Sequence, residues 1–136
     1  MLDTQTLDGF IDDWQDSDAR TKAAFLRLQQ TLAQQDGVTL AFIARPGVTY
    51  SLRATHANQQ KAPLFAMVDV IEDDPRWLSV CFYGAMISDP EENGDFVPGG
   101  LLGEDAICFD IESWDAALIT YVEARLYEAW QSAATG

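Results

Sequence analysis

Between residues 38 and 111 the hydrophobic pattern changes its period, and this change most narrows what the chain can fold into. Val48, Tyr50, Leu52 and Ala54 alternate with Thr49, Ser51, Arg53 and Thr55. Successive side chains of a strand point to opposite faces, so this run predicts a half-buried strand with one polar face. Val38–Ala44 predicts a short strand before it, joined through Arg45-Pro46-Gly47, where proline presets φ and glycine accepts a positive one. After a polar turn at residues 57–61, Leu64–Ile71 is apolar on both faces except at Asp69, as expected of a central strand. Asp73-Asp74-Pro75 predicts the next turn, Trp77–Met86 a fourth strand and Ala106–Ile111 a fifth.

Helical spacing flanks this region. Leu7, Phe10, Ile11 and Trp14 fall at i, i+3, i+4 and i+7, although Gly9 weakens the segment. A stronger helix follows Ser17 and Asp18, either able to cap it, with Ala24, Phe25, Leu28 and Leu32 as its stripe and Gly37 as its stop. A closing helix after Ser113 carries Trp114, Ala117, Leu118, Tyr121, Val122, Leu126, Ala129 and Trp130. The order helix, helix, five strands, helix predicts an α+β fold. Its expected form is a five-stranded, mostly antiparallel meander sheet, with the N-terminal helices and the long C-terminal helix packed on one face. The 136 residues form one expected domain, able to bury roughly 65–70% of the surface exposed by the unfolded chain.

Charge is the strongest global constraint. The net charge of −14 favours solubility and argues against general nucleic-acid binding, which draws its affinity from neutralised phosphates. The first eighteen residues hold Asp3, Asp8, Asp12, Asp13, Asp16 and Asp18 with no Lys or Arg. From 19 to 61 the balance reverses, with Arg20, Lys22, Arg27, Arg45, Arg53 and Lys61 against Asp36 alone. Beyond that, Arg76 and Arg125 face fifteen carboxylates. No apolar stretch approaches the ~20 residues of a membrane span, and Met1–Thr4 lacks the features of a signal peptide, so a cytoplasmic protein is expected. Cys81 and Cys108 sit in predicted strands and are expected as buried free thiols; a bridge between them requires their two strands to pair.

Motifs exclude more than they include. His56 is the only histidine, G-x-S-x-G does not occur, and neither cysteine has a catalytic signature, so no catalytic residue is assigned. Zinc spacing is missing, and Pro98-Gly99-Gly100-Leu101-Leu102-Gly103 lacks the Lys and Ser/Thr of a phosphate loop; no cofactor is expected. The unpatterned stretch from Ser88 to Asp105 opens like a calcium loop: Asp89, Glu91, Asn93 and Asp95, with Gly94 at the sixth position. The twelfth position, where the bidentate Glu belongs, is Gly100.

Asp69 is the other candidate. A carboxylate in an apolar strand must find a partner or become protonated, and Arg53 is expected to meet it across a hairpin. If that face of the sheet is uncovered, Arg45, Arg53, Asp69 and Tyr83 form a candidate site for a small polar ligand. The leading expectation is a non-enzymatic binding or protein-interaction module, acting on an unidentified protein or small polar ligand, with no nucleic acid and no membrane. The alternatives are a small-molecule enzyme using that polar pocket and an acidic mimic of nucleic acid. Trp130 near the end of the last helix is a candidate homodimer contact.

The run Ala44-Arg45-Pro46-Gly47-Val48-Thr49-Tyr50-Ser51-Leu52-Arg53, with Pro63-Leu64-Phe65-Ala66-Met67-Val68 and Leu78-Ser79-Val80-Cys81-Phe82-Tyr83, resembles the small bacterial domains grouped as YdhG-like. The resemblance spans about residues 40–125 and implies a compact α+β domain with a curved antiparallel sheet. It implies no activity, and the acidic N-terminal segment and acidic loop depart from that pattern.

Overall fold

The computed structural model describes residues 6–136; Asp3 and the reading of the first residues lie outside them. Two helices, α1 (Leu7–Asp13) and α2 (Thr21–Ala33), open the fold. Strands β1 (Val38–Arg45), β2 (Thr49–His56), β3 (Ala66–Ile71) and β4 (Trp77–Tyr83) follow, then a short 3-10 turn at Gly84–Met86. Strands β5 (Asp95–Leu101) and β6 (Glu104–Ile111) and helix α3 (Ala116–Ala134) complete it.

The protein is therefore α+β, with an antiparallel sheet of six strands rather than five, in the order β1-β2-β3-β4-β6-β5. The first four strands meander. The chain then passes to the far edge as β5 and returns as β6 between β5 and β4. The additional strand lies inside the stretch expected to be an unpatterned loop. Six of its seven residues are exposed, so burial imposes no alternation on them. An edge strand also tolerates Pro98, which has no N–H to give to a ladder.

Local signals explain most boundaries. Thr6 caps α1 by accepting from the Gly9 amide at 3.0 Å. Neither Ser17 nor Asp18 caps α2; the Asp16 carboxylate reaches forward instead, accepting from the Lys22 and Ala23 amides at 3.1 and 3.3 Å. Asp115, not Ser113, caps α3. The β1–β2 turn forms as expected, with the Val48 amide donating to the Arg45 carbonyl at 2.9 Å and Gly47 at φ 81°.

Alternation sorts the sheet into two unlike faces. Leu52, Ala54, Ala66, Val68, Val70, Leu78, Val80, Phe82, Phe109 and Ile111 share one buried cluster with the helical residues Phe10, Phe25, Leu28, Leu32, Ile119, Val122 and Leu126. The intervening residues face the other way, and a smaller cluster of Leu64, Cys81, Tyr83, Leu101, Ala106 and Cys108 contains no residue of the three helices. Polar clamps tie the helical layer together. Arg27 on α2 donates twice to Glu123 on α3, at 3.2 and 2.7 Å, and Thr31 donates to the same carboxylate at 2.7 Å. Arg76 pins α1 to the sheet: its guanidinium lies 5.1, 5.6 and 5.0 Å from the ring centres of Phe10, Trp14 and Tyr50 and pairs with Glu72 at 2.9 Å.

Truncation of the shared core should be costly and truncation at the edge should not. Phe109→Ala, at a fully buried position, is expected to lower unfolding stability by about 3–5 kcal/mol in urea denaturation. Phe96→Ala, on β5 with 64% of the side chain exposed, is expected to change it by less than about 0.5 kcal/mol.

Candidate functional site

Strand register arranges the face without helices into rows. Ser51, Asp69, Ser79 and Asp110 are successive partners across β2, β3, β4 and β6. The neighbouring row runs Arg53, Met67, Cys81, Cys108 and Asp95. A polar lane thus crosses the middle of the sheet beside a sulfur-rich one.

Asp69 sits at the centre of that lane. Its direct partners are Ser51 and Ser79; Arg53 pairs with Met67, one row along. The expected Arg53–Asp69 ion pair does not form across the hairpin, because the register sets the two on a diagonal. Arg53 Nε donates to Ser51 Oγ at 3.2 Å instead. Asp69 Oδ1 is buried without a hydrogen-bond partner. Burial pushes the Asp69 carboxyl above its ordinary range, and the Ser51 hydroxyl and the Arg53 charge only partly oppose it.

The rest of the face is divided by charge. Arg45 and Arg53 stand on β1 and β2, while Asp110 lies on β6 beside Asp95 and Glu112. Burial, together with those two carboxylates, raises Asp110. Tyr83 closes one end; it is 6% exposed, its hydroxyl has no partner, and burial and Glu104 push it upward. Arg45 pairs with Thr49, in line with Ile71 and Trp77. Trp77 and Tyr83 are six residues apart on β4, about 20 Å at the usual strand rise. Of the four predicted residues, Arg53 and Asp69 are neighbours, whereas Arg45 and Tyr83 stand at opposite ends of the same face. Ser51, Ser79 and Asp110 were missed; each stands at a polar position in its own strand's alternation, but the register aligning them was not visible.

Cys81 and Cys108 correct a further expectation. They are direct partners of β4 and β6, with Cα atoms 4.1 Å apart, and form a disulfide. The expected buried free thiols are thus replaced by the bridge that pairing of their strands allows.

The residues of the calcium pattern are not gathered around one point. Both carboxylate oxygens of Asp89 are engaged: Oδ1 accepts from the Asn93 amide of its own loop at 3.0 Å and from the Tyr121 hydroxyl of α3, and Oδ2 from the Gly94 amide at 2.9 Å. Burial works against the charged form of Asp89, but the Tyr121, Gly94 and Asn93 donors and nearby Arg125 outweigh it and lower its pKa. Gly94 is packed so closely that a Cβ there would lie 2.5 Å from Ile107 Cγ2. Asp95 has left the loop for β5, opposite Cys108. Glu91 instead gives its amide to the Tyr121 hydroxyl at 3.2 Å. Among the described residues, no group of three or more His, Cys, Asp and Glu side chains is gathered to hold a metal.

His56 is remote from this chemistry. Its Nδ1 accepts from the Asn58 amide at 3.0 Å, and its ring lies 6.1 Å from that of Trp130, on the helical side. Trp130 is half-buried and donates its indole N–H to the Asp36 carbonyl at 2.8 Å. A shallow depression of about 950 Å³ lies at the Tyr83 end, lined in part by Lys61, Met86, Phe96, Leu102 and Glu104. No helix among the described residues is long and apolar enough to cross a membrane. The chain matches no known family, curated protein or solved structure.

The shifted pKa of Asp69 has a definite sign. Between its unfolded and its raised folded value the native state binds the extra proton, so stability falls as pH rises through that window. Asp69→Asn removes the cost of charging a buried carboxyl. The variant should be more stable than the parent at pH 7 in urea denaturation, and the difference should shrink as pH falls through that window and be lost below about 4, where aspartate is neutral in both states.

Proposed function

We propose that this chain is a non-enzymatic binding module whose contact surface is the helix-free face of the sheet, and that its ligand is a small zwitterion. One observation carries the reading: Asp69 holds a buried, unpartnered carboxyl oxygen on that face, with Arg53 one row away. The oxygen calls for a donor, such as an ammonium or amide N–H. Arg53 spends its Nε on Ser51 and keeps its remaining guanidinium donors for an anion. Diagonal neighbours on a sheet stand about 7–8 Å apart, a span matching an amino acid or dipeptide. A donor bound at Asp69 would also favour its ionised form and offset the cost of burial.

The alternatives have less support. A small-molecule enzyme using the polar pocket would draw on Arg45, Arg53, Asp69 and Tyr83 together, but Arg45 and Tyr83 stand at opposite ends of the face. A nucleic-acid mimic requires carboxylates spaced along one surface. Here they occur on α1, on β6 and on α3, and Glu72, Glu123 and Glu128 are paired with arginines.

Amide NMR with free amino acids and dipeptides at millimolar concentration tests the proposal. Shifts should centre on Ser51, Arg53, Asp69 and Ser79, and Arg53→Ala should abolish them while leaving the fold intact. Shifts confined to the helices, or none with any member of the panel, would contradict it.

A further inference from the structure

The sheet has two edges, and they are finished differently. β5 is interrupted by Pro98, Gly99 and Gly100 and by a shift of register between Val97 and Leu101. Proline, glycine and bulges are the usual means of preventing an edge from pairing. β1 has none of these. It pairs with β2 residue for residue over all eight positions, from Val38↔His56 to Arg45↔Thr49, without a bulge. From Val38 to Ala44 it carries no charge, and three of its residues are β-branched. Its outer margin presents unpaired backbone donors and acceptors, and Ile43 is 42% exposed there. A long, regular, uncharged edge is a template for another strand.

We propose that β1 pairs antiparallel with β1 of a second copy of this chain, joining two six-stranded sheets into one. Charge selects a second copy as the occupant. Asp36, the only carboxylate between residues 19 and 61, lies just before β1, and Arg45 ends it. A two-fold axis through the strand pair brings each Arg45 alongside Asp36 of the other copy. It also joins the two molecules along the least acidic part of a chain of charge −14. Side chains directly opposite must share a face, which allows a register centred on Ala41, with Phe42 opposite Leu40 and Ile43 opposite Thr39. Ala41 is exposed and would meet its own copy at the axis.

Charges of opposite sign introduced at that position give the test. Sedimentation equilibrium of the wild-type chain should show a monomer–dimer equilibrium. Ala41→Lys and Ala41→Glu should each weaken the dimer about tenfold or more, since like charges would face each other across the axis. Circular dichroism should show both variants folded as the parent is. Mixing the two variants should restore the dimer as a heterodimer. A wild-type chain that stays monomeric to millimolar concentration would overturn the proposal, and so would a dimer that neither variant weakens or a mixture that fails to recover it.

Discussion

Each helix of this protein has one apolar stripe, and one face of the sheet supplies the matching surface. Phe10 from α1, Phe25 and Leu28 from α2, and Ile119 and Val122 from α3 are all buried in one cluster with Val68, Val80 and Phe109. The helices must stay together because none can hide its stripe alone. Arg27–Glu123 and Arg76–Glu72 fix how they sit, through bonds whose charges remain partly in water. Such exposed pairs add little to stability, so the apolar contact carries the fold and the ion pairs orient it.

The opposite face follows from that concentration. With the apolar residues of alternate positions committed to the helices, the other positions are free to be polar, and Ser51, Asp69, Ser79 and Asp110 occupy one lane. Neighbouring side chains still withdraw much of this lane from water, because the Cys81–Cys108 bridge, Tyr83 and Leu101 form a second, smaller cluster beside it. Asp69 is consequently desolvated, and its Oδ1 is left without a partner.

Much of the scaffold was legible from periodicity. β1 to β4, β6 and all three helices show through because each buries one side, and burial writes a period into the residues. β5 buries only Leu101 and was invisible for that reason. Register was the other missing quantity. Alternation put Arg53 on the polar face of its own strand, but only the register after the connection through Leu64 and Phe65 sets Asp69 against Ser51 and leaves Arg53 diagonal. The disulfide depended on the same information, since Cys81 and Cys108 meet only because β5 is inserted at the edge and β6 returns beside β4. Spacing alone likewise does not reveal that Asp89 accepts from the Asn93 and Gly94 amides or that Asp95 leaves the loop for β5.

The central claim is that one sheet face is packed against helices and the other carries none, with only its smaller cluster shielded from water. Paramagnetic relaxation of methyl signals by a soluble gadolinium chelate measures this directly. Ile43, Met67 and Ile71, on the helix-free face, should broaden strongly, while Val68, Val70 and Val80, on alternate positions of the same sheet, should be spared. Equal protection of Met67 and Val68 would contradict the account.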